Sequence, residues 1–568
     1  MIFICFLLIF GRSFYISTQL FVINPSLIMI YDYIVIGSGF GGSVASLRLA
    51  EKGYKVLVLE QGKRFDNDDF PRTNWNLPRY LWFPPLRFFG FQKLSFYRKA
   101  SILSGTGVGG GSLVYANTLY VPPDEFFKNP AWSRFGNWKE ILRPFYSKAS
   151  FMLGRQKYPK MNIEDEILEE VSKEMNAHSS FETVYVGVNL GEKGDPVDPY
   201  FNGLGPLRNK CTECGGCMVG CRENAKNTLD KNYLWFAEKL GVRILPETRA
   251  EKIILQDDLY HIRTRKVTSL FGAKAKTFTS KGIVVAAGTL GTIELLLKQK
   301  YKYGTLPLLS EKLGHELRTN AETLCAVSGA DRKLNNGLAI TSVFSPDPHT
   351  HVEIVKYPDK SNVMKWFFGL SAEGAASSLK RSWNLIVNTV KHPVQFLKTV
   401  LNFRWSSNLV ILLVMQTVDN AMKMVWKKTV FGGRMVIDNS GNKKVPAYIP
   451  VGQEVMFRYA DKVKGIPQNI LLEVLFNRPT TAHILGGCPM SESAESGVVD
   501  SNFRVHNYRN FYITDGSVVQ GNIGVNPSLT ITAISEYAMN RIQPKDKYHI
   551  QDISQKLKLL EEEWNQKK

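Results

Sequence analysis

Between residues 32 and 60 the hydrophobic pattern of the chain changes from an unbroken apolar run to helical spacing and back again. The runs at 33–36 and 55–59 are typical of parallel strands that are buried on both faces. Between them, apolar side chains recur at helical intervals until Gly53, a residue type that commonly follows a helix. The pattern therefore predicts a strand–helix–strand unit with two parallel strands.

Three glycines, Gly37, Gly39 and Gly42, separate the first strand from the helix with the G-x-G-x-x-G spacing of a dinucleotide-binding turn. Glycine at these points permits the tight turn, the approach of a pyrophosphate and close helix–strand packing. The pyrophosphate would lie at the helix N-terminus, where unpaired N–H groups and the helix dipole favour an anion. Glu60 ends the second strand and is placed to accept hydrogen bonds from ribose hydroxyls. The alternative is an ordinary crossover unit without a nucleotide.

The rest of the hydrophobic pattern predicts two further groups of elements. Around the nucleotide unit we expect strands at 242–245, 251–255 and 282–287, and helices at 229–240 and 290–297. A second, sheet-based group is expected between 320 and 480, with strands at 353–355, 410–415 and 434–437. The pattern after residue 481 again matches the first group, so the first domain is expected to be discontinuous.

Length and charge narrow the class of protein. A chain of 568 residues is too long for one core and implies two or more domains. The net charge of +20 predicts attraction to an anionic partner. Zinc-finger spacing, an RNP-like run and a basic tail are all missing from the sequence, so we expect no nucleic acid.

The cysteines and the N-terminus bear on location. Seven cysteines, four of them between Cys211 and Cys221, do not resemble a secreted disulfide framework, so we expect a reducing, cytoplasmic compartment. Residues 1–28 are apolar, but Arg12 and Pro25 interrupt them, and they fit neither a signal peptide nor a membrane span. We expect Met29 to be the native start and residues 1–28 to be a doubtful leader.

Several motifs resemble the glucose–methanol–choline (GMC) family of flavin oxidoreductases, and specifically its cholesterol oxidase branch. The resemblance extends from about residue 30 to residue 543, with the motifs in family order. The motifs are YDYIVIGSGFGGSVASLRLAEKGYKVLVLEQGKRF (31–65), GVGGGSLVYAN (107–117), IVVAAGTLGTIELLL (283–297), HILGGC (483–488) and YITDGSVVQGNIGVNPSLTITAISE (512–536).

This resemblance implies FAD, an α/β fold with an α+β second domain, and oxidation of a sterol-like secondary alcohol. A Rossmann-like FAD-binding domain would comprise residues 29–64, 205–318 and 480–543. A sheet-based substrate-binding domain would comprise residues 65–204 and 319–479, with loop 105–117 contacting FAD. Residues 544–568 would form a C-terminal helical tail.

The resemblance also implies site residues. FAD contacts would fall on Gly37, Gly39, Phe40, Gly41, Gly42, Glu60, Gly110, Ser112, Tyr115, Asn117, Ala250, Asp515 and Gly516. The family's active-site histidine and asparagine correspond to His483 and Asn526. His315, His351 and His506 lack such a motif and are interpreted as structural.

The chemistry of alcohol oxidation needs such a pair. Removal of a hydride from carbon requires a base that takes the hydroxyl proton, and an imidazole has a suitable pKa. A carboxamide can hold the hydroxyl in place beside the flavin. The alternative for His483 is a hydrogen-bonded structural histidine.

One position departs from the family pattern. Members that also isomerise the steroid double bond use a glutamate, and its position falls near Met364 by our comparison. Glu353 is the nearest candidate, although it could instead be a strand residue that points outward. Isomerase activity is therefore an open alternative.

Cys211, Cys214, Cys217 and Cys221 have the C-x2-C-x2-C-x3-C spacing of bacterial ferredoxins. They are candidate ligands of a [4Fe–4S] cluster. Arg222 replaces the usual proline, and a second cysteine run is missing from the sequence. The alternative is a reduced cysteine-rich loop beside the nucleotide.

Two basic stretches with aromatic residues, 70–100 and 380–405, suggest contact with a membrane surface. In the second stretch Trp383, Ile386 and Val390 recur at helical spacing. The alternative is ordinary helices that face the core.

Together these features predict a membrane-peripheral FAD enzyme that oxidises the ring hydroxyl of a sterol or similar lipid alcohol. Molecular oxygen or another acceptor would reoxidise the flavin. One alternative is a cluster-containing alcohol dehydrogenase that uses an acceptor other than oxygen. Another is a non-catalytic flavin and iron–sulfur electron carrier, which would need neither His483 nor Asn526.

Overall fold

A computed structural model describes residues 29–269, 275–375, 377–430, 432–438, 445–546 and 548–567. The predicted leader, residues 1–28, lies outside the described residues. Within those ranges, no helix has both the length and the apolar character needed to cross a bilayer.

Helices and strands are numbered here in chain order. The helices are α1 Phe40–Glu51, α2 Leu77–Tyr80, α3 Asp124–Lys128, α4 Pro130–Ser133, α5 Trp138–Met152, α6 Ile163–Glu174, α7 Tyr233–Lys239, α8 Thr289–Leu297, α9 Ser378–Lys391, α10 Pro393–Val400, α11 Pro450–Val463, α12 Leu471–Phe476, α13 Ser528–Asn540 and α14 Asp552–Gln566. The strands are β1 Ile30–Ile36, β2 Val56–Leu59, β3 Trp82–Phe83, β4 Phe88–Phe89, β5 Gln92–Phe96, β6 Ser101–Gly105, β7 Gln156–Lys157, β8 Glu182–Thr183, β9 Tyr185–Val186, β10 Arg243–Leu245, β11 Thr248–Gln256, β12 Leu259–Lys266, β13 Lys276–Val285, β14 Thr323–Ser328, β15 Ile340–Asp347, β16 Thr350–Val355, β17 Phe368–Leu370, β18 Val410–Gln416, β19 Lys423–Lys427, β20 Arg434–Asp438, β21 Ile466–Ile470, β22 Thr480–Thr481 and β23 Phe511–Ile513.

The first sheet has the order β10-β2-β1-β13-β12-β11, and β23 also pairs with β13. The pairs β10–β2, β2–β1, β1–β13 and β13–β23 are all parallel. All but the first residue of β1 are buried, as its unbroken apolar run predicts. Because parallel strands end at one edge, the residues that follow β1, β2, β13 and β23 meet there, where ligands of such sheets bind.

The second sheet is antiparallel throughout, with the order β17-β21-β14-β18-β16-β15-β8. The helices α11 and α6 pack on it. Together the two sheets confirm the predicted α/β fold with a second, sheet-based unit. The exact domain boundaries stay a prediction.

The helix predicted over 229–240 is interrupted. Residues Leu229–Lys231 form a single 3-10 turn, and α7 begins only at Tyr233. Asn232 lies between them in a non-helical conformation, and its side chain accepts a hydrogen bond from the Tyr233 N–H. Asparagine caps helices in this way and so competes with the helical backbone.

Candidate active site

Two cavities meet at the edge where the parallel strands end. One, of about 290 Å³, is lined largely by polar and charged residues, and the other, of about 280 Å³, by mostly apolar ones. The two cavities share five of their lining residues, which are Gly39, Gly105, Gly111, Ala286 and Gly288. The two cavities therefore form one elongated space with a polar half and an apolar half.

The glycine turn forms the floor of the polar cavity. Gly37 has a φ of +100°, and a Cβ there would lie 2.2 Å from the carbonyl oxygen of Ala286. Gly41 packs against the main chain of Thr514, and Gly42 packs against that of Gly37. Gly37 and Gly39 line the polar cavity, whereas Phe40 and Gly41 line the apolar one. The N-terminus of α1 thus lies where the two halves join.

Residues 105–117, called here the flavin loop, cross the glycine turn. A Cβ on Gly110 would lie 2.6 Å from the Cα of Gly39, so the two backbones touch. Tyr115 lines the apolar cavity, and Ser112 is buried and donates a hydrogen bond to Gly109. Asn117 is buried, and neither polar atom of its amide has a partner within the described residues.

Glu60 and Ala250, two of the predicted FAD contacts, both line the polar cavity. The carboxylate of Glu60 accepts hydrogen bonds from the N–H and hydroxyl of Ser38 at 3.1 and 2.8 Å and from the Gly62 N–H at 2.8 Å. Burial raises the pKa of Glu60, and these donors oppose the rise. The carboxylate is therefore held rigidly at the end of β2.

The sequence did not single out the basic residues of the polar cavity. Lys93, Arg249 and Lys298 line it together with Glu294. Burial lowers the pKa of Lys93, as do the neighbouring charges of Arg249 and Lys298. Glu294 pairs with Arg249 at 3.2 Å and with Lys298, but the three cations outnumber this carboxylate, and the excess positive charge suits a pyrophosphate.

Asp515 and Gly516 line the apolar cavity. The Asp515 carboxylate accepts hydrogen bonds from the Ser517 N–H and hydroxyl and from the Thr292 hydroxyl. Burial raises the pKa of Asp515, which these donors offset in part. Asp515 thus fixes the turn after β23 to the start of α8.

His483 lies on the apolar cavity, and its ring Nδ1 is 3.0 Å from the Oε2 of Glu322. Glu322 is fully buried and also accepts hydrogen bonds from the Thr481 hydroxyl and the Ala482 N–H. With Nδ1 engaged as a donor, Nε2 keeps its lone pair. Glu322 belongs to none of the sequence motifs that predicted site residues.

The backbone before Glu322 is unusual. Asn320 and Ala321 have φ values of +60° and +42°, although neither is a glycine. The Asn320 side chain donates a hydrogen bond to the Val525 carbonyl and accepts one from the Gly524 N–H. The strained turn therefore connects the Glu322 segment to the loop that carries Asn526.

Two carboxylates act on His483. Burial alone would lower the pKa of this imidazole, but the charge and hydrogen bond of Glu322, together with the charge of Glu353, raise it above its usual value. The geometry resembles a base–carboxylate pair, in which the carboxylate selects one tautomer and stabilises the protonated ring.

Asn526 also lies on the apolar cavity. Its Nδ2 donates to the Oε2 of Glu353 at 3.2 Å, and its Oδ1 has no partner within the described residues. The other oxygen of Glu353 lies 3.0 Å from Nε2 of His351. Glu353 is fully buried, so the alternative of an outward-facing strand residue is wrong, and it lies behind Asn526.

The four cysteines do not assemble as predicted. Within the described ranges, no three His, Cys, Asp or Glu side chains are arranged to hold a metal ion. Cys214 is exposed and Cys217 buried, while Cys211 and Cys221 are half-buried and accept hydrogen bonds from N–H groups of their own loop. The spacing suggested an iron–sulfur site, but the loop positions its thiols differently, and the structure gives that ligand set no support.

The residues present fit FAD. The elongated space joins a polar half, suited to the adenosine diphosphate group, to an apolar half suited to a flat ring. A Cβ on Gly288 would meet nothing within 4 Å, so this backbone faces open space. The Oδ1 of Asn526, which lines the apolar half, is a buried acceptor without a partner among the described residues, and a ligand in this space would satisfy it.

Comparisons with known proteins identify the family of this chain. Two family models described as GMC oxidoreductase match residues 31–300 and 416–535. A cholesterol oxidase of Acinetobacter baumannii is 40% identical, with 91% of this chain and 95% of that protein covered. A cholesterol oxidase of Mycobacterium tuberculosis is 42% identical, with coverage of 89% and 90%.

More distant matches share the fold. The solved structure of pyridoxine 4-oxidase from Mesorbium loti has a TM-score of 0.58 and 14% identity, and the match covers 90% of this chain and 98% of that one. The family matches and the cholesterol oxidase relatives extend over most of this chain. The chain therefore belongs to the GMC oxidoreductase family, in its cholesterol oxidase branch, and is an FAD-dependent oxidoreductase.

Proposed function

We propose that this protein oxidises the ring hydroxyl of a sterol to a ketone and passes the electrons to molecular oxygen. The observation that carries the proposal is the placement of His483 and Asn526 on one apolar cavity that joins the nucleotide cavity. The relatives named cholesterol oxidases support the choice of substrate. They do not favour an electron carrier or a cluster-containing dehydrogenase.

Separate groups of residues are available to hold the pyrophosphate, the adenosine part and the flavin ring of FAD. The glycine turn and the N-terminus of α1 would hold the pyrophosphate, with Lys93 and Arg249 of the same cavity to balance its charge. Glu60 and Ala250 would hold the adenosine part, and the flavin loop and Asp515 would hold the ring. FAD, when bound, supplies the acceptor for the hydride.

In the proposed reaction, His483 is the base that accepts the hydroxyl proton of the alcohol. Nε2 takes the hydroxyl proton of the alcohol while the carbon loses its hydride. Glu322 keeps the imidazole in the correct tautomer and stabilises the imidazolium that forms. Asn526, anchored on Glu353, uses its remaining amide groups to orient the hydroxyl. Apolar walls exclude water from the reacting atoms.

The shape of the cavity suits a large apolar alcohol. Besides the polar pair, its walls include Met218, Leu324, Ile340, Met364, Phe368 and Leu413. Such walls stabilise a steroid skeleton by burying its apolar surface at about 25 cal/mol per Å². Selectivity would come from shape, while the polar pair fixes the hydroxyl.

Isomerisation of the double bond is a second proposed activity. The hydrogen bond between Glu353 and Asn526 places a buried carboxylate within one side chain of the cavity, and this proximity supports Glu353 as the proton carrier. Met364, the position that the sequence comparison suggested, lines the cavity but has no ionisable group.

Anaerobic flavin reduction tests the proposed function. We expect a sterol with a free ring hydroxyl to bleach the bound flavin, and readmitted oxygen to restore its colour. The same sterol with its hydroxyl methylated should leave the spectrum unchanged, and analysis of the product shows whether the double bond has moved. Bleaching by long-chain primary alcohols but not by sterols would contradict the substrate assignment.

We further propose that the enzyme docks on an anionic membrane through α9, α10 and the segment Val363–Phe367. We call this the docking surface. Its apolar side chains are 52–82% exposed at Leu379, Trp383, Ile386, Val390, Val394, Leu397, Leu401, Phe403 and Trp366. The exposure of Trp383, Ile386 and Val390 favours a solvent-facing apolar side over a core-facing one, while Leu385 on the same helix packs inward. A contiguous patch of this kind marks an interaction site.

Charge and position favour a lipid surface as the partner. Lys380, Lys391 and Lys398 are exposed on these two helices, and Arg404 is exposed just after α10. Arg381, in contrast, is buried and donates hydrogen bonds to the Ala447 and Glu473 carbonyls. Met364 and Phe368 line the apolar cavity, so the docking surface adjoins the substrate's space. The cytoplasmic location stays a prediction.

Reversal of charge should weaken docking. We expect Lys380→Glu, Lys391→Glu and Lys398→Glu together to lower affinity for vesicles containing phosphatidylserine by about 100-fold, since each lysine near such a surface contributes about 1 kcal/mol. Co-sedimentation at low salt measures this. The control reverses Lys556, Lys558 and Lys567, which lie in or just beyond α14, and should keep full binding. Equal binding by both triple variants would contradict the docking surface.

A further inference from the structure

Lys226 is a buried lysine directly behind the flavin loop. The residue is 1% exposed. Its ammonium donates hydrogen bonds to the carbonyl oxygens of Leu113 at 3.1 Å and of Tyr115 and Cys217 at 2.8 Å. An ammonium has three donors, and here all three are used by main-chain carbonyls rather than by a carboxylate. The hydrogen bonds of the ammonium are therefore made to dipoles and not to a carboxylate, while Asp230 and Lys231 act on it through their charges with opposite signs.

The surroundings of Lys226 preserve that charge. Its Nζ lies 4.8 Å from the ring centroid of Tyr115, and its backbone N–H donates to the sulfur of Cys221. Burial raises the pKa of Cys217, which keeps this thiol neutral near pH 7. Burial also lowers the pKa of Lys226, to about 8, so the amine remains mostly protonated at neutral pH.

The charge lies close to the cofactor space. Two of its three acceptors belong to the flavin loop, and Val114, Tyr115 and Ala116 of that loop line the apolar cavity. One layer of backbone thus separates the ammonium from the cavity. In a dry interior a charge acts over several ångströms with little screening.

We propose that Lys226 is a positioning residue that holds the flavin loop and whose charge stabilises the reduced, anionic form of the bound flavin. Hydride transfer adds two electrons and one proton to the flavin, which leaves it with one additional negative charge. A nearby cation favours that state over the neutral oxidised one. The proposal rests on FAD binding and not on the identity of the alcohol. It also gives the cysteine loop a role, because the Cys217 carbonyl accepts a hydrogen bond from the ammonium and the Cys221 sulfur accepts one from the Lys226 main chain.

The test compares Lys226→Met, Lys226→Gln and Lys226→Arg as FAD-loaded proteins. Glutamine keeps part of the hydrogen bonding without charge, and arginine keeps the charge. The readouts are the midpoint potential of the flavin and its affinity for sulfite, which adds to the flavin as an anion. We expect the two neutral variants to show a lower potential and about tenfold weaker sulfite binding, and arginine to restore both values.

An unchanged potential and sulfite affinity in Lys226→Met or Lys226→Gln, at full FAD content, would overturn the proposal. If neither neutral variant retains FAD, the pH dependence of the midpoint potential decides between the native protein and Lys226→Arg. Loss of the lysine proton at alkaline pH should make the potential of the native protein fall more steeply than that of the arginine variant, and equal slopes in the two proteins would reject the proposal. Neither readout uses an alcohol, so a failure of sterol oxidation leaves the result interpretable.

Discussion

His483→Ala should reduce its bound flavin roughly 10²- to 10⁴-fold more slowly than the native protein when mixed anaerobically with sterol. The variant lacks the only group on the apolar cavity that we assign as base, so the hydroxyl proton has no acceptor as the hydride leaves. FAD content should stay the same, because the glycine turn and the polar cavity are untouched. Stopped-flow absorbance of the flavin measures the rate.

His506→Ala is the matched control. This histidine lies 3.3 Å from the Ser491 hydroxyl and is assigned no role in the reaction. The His506→Ala variant should reduce its flavin at the native rate. If His483→Ala keeps the native rate too, the proposed base is wrong, and the carrier alternative gains support.

The nucleotide unit was predictable from the sequence because local pattern determines it. An apolar run between turn residues makes a buried strand, and the spacing of Gly37, Gly39 and Gly42 allows only a narrow range of turns. The structure places β1, α1 and β2 within about one to three residues of the predicted limits at each end. The prediction of one continuous helix over 229–240 was wrong because Asn232 adopts a non-helical conformation and caps the helix that follows it.

Glu322 could not have been found in the same way. It is 161 residues from His483 in sequence, and the pair forms only because the turn at Asn320 and Ala321 orients the carboxylate. Left-handed backbone at asparagine and alanine leaves no clear sequence signal, unlike a glycine motif. Contacts of this kind depend on tertiary packing, which a single sequence does not reveal.

The cysteines and the basic stretches show two ways in which a sequence pattern fails to determine structure. The cysteine spacing suggested a metal site, yet spacing does not determine whether thiols converge. Here the four thiols differ in exposure, and no three metal-binding side chains converge within the described residues. The amphipathic pattern of 380–405 was compatible with a buried or an exposed face. Only the structure shows that Trp383 and Val390 are exposed, at 63% and 73%.

Glu322→Gln should slow flavin reduction by roughly 10²-fold or more, although the side chain keeps its size. The Ala482 N–H needs an oxygen at Oε1, so the amide oxygen stays there and the amide nitrogen faces Nδ1 of His483. An amide donor at Nδ1 stabilises the tautomer that carries its proton on Nε2. The imidazole then presents a donor to the alcohol and cannot act as base.

The pH dependence of flavin reduction should show how the charge of Glu322 changes the pKa of His483. Reaction requires neutral His483, so the rate should rise with pH through the pKa of the imidazole. Burial lowers this pKa, but Glu322 and Glu353 raise it above the usual value, and loss of the Glu322 charge should lower it. The rising limb of the residual activity should therefore move to lower pH in Glu322→Gln. A limb that stays in place, with a native rate, would show that Glu322 is structural and that another group sets the tautomer of His483.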